Sequence, residues 1–198
     1  MAKDHCIAGD ELTFLGGNSQ GGSYVLRIYV EKPCIMSFGR FNGGKKIAIK
    51  PGDHLYLGSA LRETGATSLG RRLVRHATRC GRKRPHPIRE LMLAEFLRIG
   101  LGQGDLRPKN GKRLHWNVDY LLDLDIAELV AAYVIRSPHR IERELGQLLQ
   151  NDQAAVVFEP GLGANDVPGN THLPRIEADE SWWRRLPEKL LQIIPAGL

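Results

Sequence analysis

The stretch HLYLGSALRETGATSLGRRLVRHATR, residues 54–79, changes from a strand-like to a helix-like pattern across a short loop. Its first part is mostly apolar and carries an aromatic side chain, which predicts a β-strand. Ser68 is a typical helix N-cap residue, and Leu69, Leu73 and Ala77 then recur at every fourth position. This spacing predicts an amphipathic helix whose apolar stripe packs against a sheet.

The polar side chains of this helix fall on two rows. With successive residues about 100° apart, Arg71, Arg75 and Arg79 form an outer row, and Arg72 and His76 form a row between it and the apolar stripe. The outer row is suited to phosphate binding. We expect Arg72 and His76 to point along the seam where the helix meets the sheet, close to the end of the strand.

Positive charge is concentrated in the same region. The chain of 198 residues has 28 lysines and arginines against 22 aspartates and glutamates, a formal net charge of +6. Between residues 71 and 90 the basic side chains outnumber the acidic ones eight to one. Such a local patch is typical of proteins that contact phosphates, although a solvated surface is the alternative. The predicted nucleic-acid-binding residues here are Arg71, Arg75, Arg79, Arg82, Lys83 and Arg84.

Length and composition limit the class of protein. A chain of this size fits one main domain. Its three cysteines, Cys6, Cys34 and Cys80, have no Cys-x-x-Cys spacing, so neither a disulfide framework nor a thiolate zinc site is expected. The longest apolar run, residues 129–135, is too short to span a bilayer, and the N-terminal residues lack a signal-peptide pattern. We therefore predict a cytoplasmic protein with no membrane partner and leave its oligomeric state open.

The whole chain predicts an α+β fold, a small, mainly antiparallel β-sheet flanked by helices. Asn42-Gly43 between two apolar runs predicts a hairpin, because these residues supply the positive φ angles of a tight turn. Outside this hairpin, strands are predicted at 23–30, 54–60 and 127–135, and helices at 68–79, 87–100, 138–150 and 179–194.

The domain organisation follows from the glycine-rich and turn-rich segments. Residues 1–21 predict a flexible lead-in. Residues 22–176 form the predicted main domain, with an insertion near 81–112. Residues 177–198 predict a helical tail that is interrupted or kinked at Pro187.

Several short motifs occur in an ordered set along the chain. They are SYVL at 23–26, YLGSA at 56–60, RRLVRH at 71–76 and HWNVDYLLD at 115–123, followed by glutamates on a later helix. This order resembles the GIY-YIG nuclease superfamily, and in particular its branch known as domain of unknown function 123, which is similar to URI-type endonucleases. The resemblance covers roughly residues 22–173. It implies a GIY-YIG-like fold and a metal-dependent endonuclease that hydrolyses the phosphodiester bonds of nucleic acid.

The resemblance also implies catalytic residues. Tyr24 and Tyr56 match the two motif tyrosines, and Arg72 and His76 match an arginine and a histidine of the helix. Tyr24 would belong to the network that activates water, and Tyr56 would transfer a proton or contact the phosphate. Arg72 would clamp a phosphate oxygen with its two-pronged donor group. His76 would support acid–base chemistry near neutral pH.

A single metal ligand is implied as well. The metal-binding glutamate falls on Glu142 in the pattern of this branch, and Glu144 fits the homing-endonuclease pattern. Helical geometry leaves both open, since they flank the apolar stripe at comparable angles, and we choose Glu142 as a catalytic and metal-binding residue. One carboxylate can hold one Mg²⁺ or Mn²⁺, with water and phosphate as the remaining ligands.

Two further motifs carry weaker expectations. His115 and Trp116 could stack on a base or frame the cleft, and His115 is counted as a candidate nucleic-acid contact. A structural role is favoured for Trp116, with Asp119 capping the next helix. In the tail the branch has a cysteine cluster, whereas this chain has alanine, valine and glycine at positions 164, 167 and 169. A thiolate metal site is therefore not expected there.

Two functions from different classes result. The first is a metal-dependent endonuclease whose action depends on the structure of the nucleic acid more than on its sequence, with DNA favoured over RNA. The alternative is a catalytically weakened nucleic-acid-binding module that uses the basic ridge on residues 71–84.

Overall fold

The structure of the chain, a computed structural model, describes residues 6–8, 10–163 and 171–195. Along the described part of the chain, six strands precede three helices, and a long strand, a helix, two short strands and a last helix follow. The strands are β1 Cys6–Ala8, β2 Leu12–Gly16, β3 Gly22–Val30, β4 Cys34–Met36, β5 Ile47–Ile49, β6 Gly52–Ala60, β7 Ala127–Arg136, β8 Ala155–Val156 and β9 Arg175–Ile176. The helices are α1 Leu69–His76, α2 Ile88–Arg98, α3 Asn117–Leu122, α4 Glu142–Gln150 and α5 Glu180–Gln192.

The large sheet has the strand order β1-β2-β7-β3-β6-β9-β8. Strand β3 lies at its centre and pairs antiparallel with both β6 and β7. Strands β2 and β7 run parallel, and the other pairs are antiparallel. The predicted α+β fold with a mainly antiparallel sheet is confirmed.

Two apolar cores lie on opposite faces of this sheet, because side chains alternate between the faces along each strand. On β3, Tyr24 and Leu26 belong to the first core, which also contains buried residues of α1, α2 and α3. Val25 belongs to the second core, which α4 and α5 cover. The domain therefore has three layers, and the seam between β6 and α1 lies in the first core.

The predicted hairpin is confirmed as a separate pair of strands, β4 and β5. At its tip, Asn42 and Gly43 have φ angles of 45° and 66°, as the Asn-Gly pair predicts. The paired segments are shorter than expected, because a short 3-10 helix, Phe41–Gly44, lies between them.

The predicted flexible lead-in over residues 1–21 is wrong for part of its length. Leu12–Gly16 forms β2, which pairs in parallel with β7. Leu12 and Phe14 are buried in the first core and Leu15 in the second. Burial of these apolar side chains on both faces holds the segment in the sheet, since each removes apolar surface from water.

The tail and the predicted insertion both contribute to the cores. A helix interrupted or kinked at Pro187 was predicted, and α5 continues through Pro187 without interruption. Trp183 and Leu186 of this helix are buried against the sheet, and this packing offsets the backbone hydrogen bond that proline lacks. Within the insertion near 81–112, α2 buries Met92 and Phe96 in the first core. In the part of the chain that the structure describes, no helix combines the length and the apolar character needed to cross a bilayer.

Candidate functional site

The seam between β3, β6 and α1 brings three of the predicted site residues together. Tyr24 of β3 and Tyr56 of β6 project to the same face of the sheet, where His76 of α1 packs on both. The Tyr24 hydroxyl oxygen lies 2.9 Å from Nε2 of His76. The His76 ring centroid lies 5.6 Å from that of Tyr24 and 5.8 Å from that of Tyr56. The expectation that His76 points into this seam agrees with the geometry.

The glycine of the YLG motif makes room for this contact. Gly58 lies opposite Tyr24 in the antiparallel ladder. A Cβ atom at Gly58 would overlap the hydroxyl group and the ring of Tyr24. Only glycine lets the tyrosine cross the strand at this point and reach His76.

Arg72 lies on the same row of α1 and is held from two sides. Its Nη1 donates a hydrogen bond of 3.1 Å to the backbone oxygen of Ser59. Its guanidinium carbon lies 4.5 Å from the centre of the Trp116 ring, a cation–π arrangement. Trp116 therefore orients Arg72. It also lines the cavity described below, so it frames the cleft in addition to packing against the first core.

Glu142 occupies the first turn of α4 and meets the end of β6. Its carboxylate accepts a hydrogen bond from the Ser59 hydroxyl. Its Oε1 lies 3.3 Å from Nδ1 of the buried His172. Glu144, by contrast, is exposed and is not among the residues around the cavity described next. The geometry thus separates the two glutamates that the sequence leaves open.

An open cavity of about 450 Å³ lies where these elements converge. Glu142 is the single acidic side chain among its described lining residues, against three arginines. The cavity therefore favours an anionic group at its rim and a cation beside the carboxylate. The polar and aromatic side chains that line it are Tyr56, Ser59, Arg62, Thr67, Arg72, Trp116, Asn117, Arg140, Glu142 and His172.

Tyr24 and His76 do not line this cavity. Both side chains are fully buried, and the Tyr24 hydroxyl abuts Gly58, which forms part of the wall. Tyr56 is the tyrosine that faces the cavity directly. The predicted catalytic set therefore divides into a front group at the cavity and a hydrogen-bonded pair directly behind its wall.

Behind the seam lies a charged cluster centred on Asp119. This carboxylate is completely buried and accepts two hydrogen bonds from Arg75, at 3.0 and 2.8 Å. It also accepts hydrogen bonds of 2.9 Å from the backbone amides of His115 and Trp116. Its Oδ1 lies 3.4 Å from Nζ of the buried Lys112. Asp119 lies inside α3 and not before it, so it caps the start of its own helix by accepting from the backbone of Trp116.

Asp119 also faces His76, with 3.5 Å between Oδ1 and Nδ1. Burial lowers the pKa of His76 to about 4, although the nearby carboxylate acts in the opposite direction. Burial by itself raises the pKa of Asp119, but hydrogen bonds and charges from His76, Lys112 and Arg75 outweigh it and hold that pKa far below its usual range. At neutral pH, Asp119 is therefore ionised and His76 neutral.

The two tyrosines keep their protons at neutral pH. Burial raises the pKa of Tyr24, and the charge and hydrogen bond of Arg72 offset only part of this effect. Burial, with the neighbouring Tyr24 and Glu142, also raises the pKa of Tyr56 well above its ordinary value. A free tyrosinate is therefore not the resting form of either side chain.

The predicted phosphate ridge is wrong at Arg79. This side chain is buried, with 8% relative exposure, and donates hydrogen bonds to the backbone oxygens of Leu122, Arg84 and Ala127. Helix α1 ends at His76, so Arg79 lies beyond it and does not continue its outer row. Arg79 ties the helix end to the interior and is not available to a ligand.

The other predicted surface residues differ in their accessibility. Arg75 is engaged by Asp119, whereas Arg71 lies at the surface and donates a hydrogen bond to the backbone oxygen of Gln103. Arg82, Lys83, Arg84 and His115 are all exposed, and Lys83 pairs with Asp123 at 2.7 Å. The edge of the His115 ring packs on Trp116.

A second groove of about 520 Å³ runs beside α1. It is lined by Arg71, Arg75, Arg107 and Lys109, with no acidic residue among its described lining. The loop 61–67 contributes to both this groove and the cavity. Arg107 and Lys109 belong to the predicted insertion, and neither was predicted as a site residue.

Sequence reasoning also missed Ser59, Lys112 and His172. Ser59 lies within the YLGSA motif, so its position beside the motif tyrosine was the available signal. Nothing in the pattern of the insertion marks Lys112 as buried. His172 lies in the turn-rich tail of the main domain, 30 residues after Glu142, and no local periodicity connects two such positions.

The residues present suit one hard cation. Among the described residues, no three His, Cys, Asp or Glu side chains form a metal-binding cluster. A lone carboxylate such as Glu142 is nevertheless sufficient for Mg²⁺, which keeps several waters and binds substrate phosphates. Positions 164, 167 and 169, where the branch has cysteines, lie outside the described residues.

The fold and this site define a mixed α/β domain of GIY-YIG-like type. The model of the family described as "Domain of unknown function DUF123" matches residues 23–194, and the chain belongs to this GIY-YIG-like, URI-type family. No curated protein and no solved structure matches the chain.

Proposed function

We propose that this protein is a divalent-metal-dependent endonuclease that hydrolyses phosphodiester bonds of nucleic acid, DNA in preference to RNA, in the cytoplasm. The observation that carries the proposal is the position of Glu142 in a cavity whose described lining includes three arginines and Tyr56 but no second carboxylate. A phosphodiester is anionic, and its hydrolysis needs charge stabilisation, a positioned water and help for the leaving oxygen. The cavity offers groups for each of these needs.

Arg72 is the best-placed phosphate ligand. The backbone oxygen of Ser59 and the Trp116 ring hold its guanidinium at the cavity wall, so little side-chain entropy remains to be lost on binding. Arg62 and Arg140 line the same cavity from exposed positions and add positive charge for the flanking phosphates. Charge of this kind gives affinity without reading bases.

Glu142 is the residue that would hold one Mg²⁺ or Mn²⁺. Such an ion, when bound, polarises a phosphoryl oxygen and lowers the pKa of a coordinated water. The Ser59 hydroxyl fixes the Glu142 carboxylate, and His172 lies against its other oxygen. These contacts leave the carboxylate oriented toward the cavity that it lines.

Tyr56 supplies a protonated hydroxyl at the cavity wall, suited to donating a hydrogen bond to a phosphate or a proton to the leaving oxygen. Tyr24 and His76 stand behind it as a hydrogen-bonded pair. His76 is neutral at neutral pH because burial lowers its pKa to about 4, so it can accept a proton there and later return it. This role refines the acid–base function expected for the histidine.

The groove beside α1 extends the proposed binding surface. Arg71, Arg107 and Lys109 line it, and the loop 61–67 connects it with the cavity. A nucleic-acid strand in this groove would present its phosphates, and not its base edges, to these basic side chains. This supports recognition of nucleic-acid structure over sequence. A randomised-substrate screen that returns one strongly preferred sequence contradicts this part of the proposal.

One observation favours a second function, a nucleic-acid-binding module without catalysis. Tyr24 and His76 have no exposed surface and do not line the cavity, so the arginines could bind phosphates while this pair serves only the core. Both functions assign phosphate binding to the arginines, but only the nuclease requires Glu142.

The deciding experiment is cleavage of labelled single-stranded, duplex and branched DNA and RNA with Mg²⁺, with Mn²⁺ and with chelator. The proposal expects metal-dependent cutting that Glu142→Gln abolishes and Glu144→Gln retains. Salt-sensitive binding without cutting by the wild type contradicts the nuclease and supports the binding module.

A further inference from the structure

The position of one proton is determined by the groups around His76. The ring faces two polar groups. The Tyr24 hydroxyl is hydrogen-bonded to Nε2 at 2.9 Å, and the Asp119 carboxylate lies 3.5 Å from Nδ1, a buried nitrogen that makes no hydrogen bond of good geometry to a described residue. Tyr56 packs on the ring, and Lys112 and Arg75 carry the nearby positive charges. A neutral imidazole has one N–H, and its neighbours decide which nitrogen carries it.

The carboxylate settles the choice. Asp119 is ionised and buried, so toward Nδ1 it can only accept a hydrogen bond. An Nδ1 lone pair directed at this carboxylate would place two electron-rich atoms against each other without water. The hydroxyl of Tyr24 accommodates either arrangement, because it can donate or accept. Nδ1 therefore carries the proton, and Nε2 accepts one from Tyr24.

We infer that Asp119 is a positioning residue that fixes His76 as the Nδ1–H tautomer, so that the Tyr24 hydroxyl donates to Nε2. Arg75 and the backbone amides of His115 and Trp116 orient this carboxylate. Lys112, 3.4 Å away, compensates part of its buried charge. A carboxylate held by so many donors at 0% exposure has little freedom to turn away from the ring.

The consequence for catalysis rests on the proposed function. With its hydrogen directed at Nε2, the Tyr24 oxygen keeps its lone pairs for the side of Gly58, which is the wall of the cavity. Because Tyr24 is buried behind the wall, a proton from the attacking water reaches this oxygen only past Gly58, and its arrival is matched by transfer of the Tyr24 hydroxyl proton to Nε2. The tyrosine remains neutral overall, and the imidazolium that forms faces Asp119. No free tyrosinate forms in this step. The final proton acceptor is His76, whose pKa of about 4 makes the imidazolium a short-lived state that returns its proton through Tyr24.

The test is ¹⁵N NMR of the histidine ring at neutral pH, with the His76 signals assigned by their loss in His76→Gln. We expect the wild type to have a protonated Nδ1 and a bare Nε2. In Asp119→Asn the amide can donate toward Nδ1, so the proton is expected to move to Nε2. The matched control is Asp123→Asn, which changes a carboxylate that also accepts from a backbone amide but pairs with Lys83. This control should leave the tautomer unchanged.

Each result has a defined meaning. A bare Nδ1 in the wild type overturns the inference, as does an unchanged tautomer in folded Asp119→Asn. If Asp119→Asn does not fold, Lys112→Met replaces it, with the Nδ1–H form expected to persist. Reversal of the tautomer by that variant would assign the effect to the lysine and overturn the role of Asp119.

Cleavage kinetics separate this inference from the proposed function. Where the wild type cuts, Asp119→Asn should lower kcat about 100-fold or more with KM little changed, the usual range for acid–base groups. A KM effect alone would overturn the role in positioning for catalysis. If the wild type cuts no substrate while the Nδ1–H tautomer is observed and depends on Asp119, the proposed function fails and the positioning by Asp119 stands.

Discussion

The Ser59 hydroxyl donates a hydrogen bond to the Glu142 carboxylate and thereby ties the end of β6 to the first turn of α4. The backbone oxygen of the same serine accepts from Arg72. One residue of the YLGSA motif thus sets the spacing between the carboxylate and the arginine that the proposed reaction needs on opposite sides of a phosphate. The two groups come from opposite layers of the domain, so the sheet itself positions them.

Replacing Glu142 by glutamine should abolish cleavage, with a loss of at least about 100-fold. The amide oxygen still accepts a hydrogen bond from Ser59, so we expect an unchanged melting temperature. Glu144→Gln on the exposed side of the same helical turn is the matched control and should cut like the wild type. Steady-state cleavage in Mg²⁺ and thermal unfolding measure both effects. Equal activity of the two variants would show that Glu142 has no role in catalysis.

Replacing Arg72 by lysine keeps the positive charge but loses the planar donor group. Because the guanidinium packs on Trp116 and bonds to Ser59, we expect cleavage to fall about 10-fold or more. Arg71→Lys, on the neighbouring position of α1, should change cleavage less than 3-fold, roughly the limit for a surface contact. A single-turnover assay with both variants makes the comparison. An active Arg72→Lys enzyme would show that charge alone suffices at this position.

Replacing Gly58 by alanine should destabilise the fold by roughly 1–3 kcal/mol, because the added methyl group overlaps Tyr24. The hydroxyl would also be displaced from His76, so cleavage should fall with stability. Gly65→Ala is the contrasting control, since its Cβ would meet no atom within 4 Å but its φ of +83° strains an alanine. Urea unfolding of both variants separates contact from backbone strain. A fully stable Gly58→Ala protein would contradict the close approach.

The sequence was sufficient to predict which side chains share a face where a regular strand or helix carries them. Tyr24 and Tyr56 follow the two-residue period of strands, and Arg72 and His76 follow the helical period of α1. The same periodicity failed for Arg79, because α1 ends three residues earlier and the chain turns inward. Local patterns describe a helix correctly only as far as the helix extends.

The contacts that complete the site were beyond prediction for a different reason. Asp119 meets Arg75 across 44 residues of sequence, and His172 meets Glu142 across 30. Such contacts depend on how α3 and the tail pack on the sheet, and no single-sequence periodicity encodes that packing. The motif around His115 and Asp119 was visible, but its role beneath His76 was not.

Arg71 and Arg79 should respond differently to the same substitution. Arg71→Gln removes an accessible charge at the groove beside α1, so nucleic-acid binding should weaken uniformly and the log–log salt slope should fall by about 1. Arg79→Gln leaves buried backbone oxygens without their donor and should cost roughly 1–3 kcal/mol of stability. Salt titrations of DNA binding and chemical unfolding distinguish the two. A reduced salt slope in folded Arg79→Gln would show that this residue contacts phosphates after all.

Acid should destabilise the protein through its buried histidines. Burial lowers the pKa of His54, His76 and His86 to about 4 from an ordinary 6.5. Above pH 6.5 each histidine is neutral in both the folded and the unfolded chain, so its burial carries no protonation penalty and the stability that it contributes is fully present. As the pH falls from 6.5 toward 4, the histidine of the unfolded chain binds a proton before that of the folded chain does, and this stability is lost. The free energy of unfolding lost per histidine is roughly 3 kcal/mol.

His54 is the histidine best suited to test this dependence, because it lies apart from the cavity and packs on Phe158. His54→Asn keeps a donor for the Gly52 oxygen that Nδ1 approaches, and it removes the titrating group. Between pH 6.5 and 4, we expect the slope of the free energy of unfolding against pH to be smaller in this variant than in the wild type. The difference should correspond to about one bound proton. His139→Asn, at an exposed position, is the matched control substitution. Identical slopes in all three proteins would mean that His54 is protonated as readily in the folded chain as in the unfolded one.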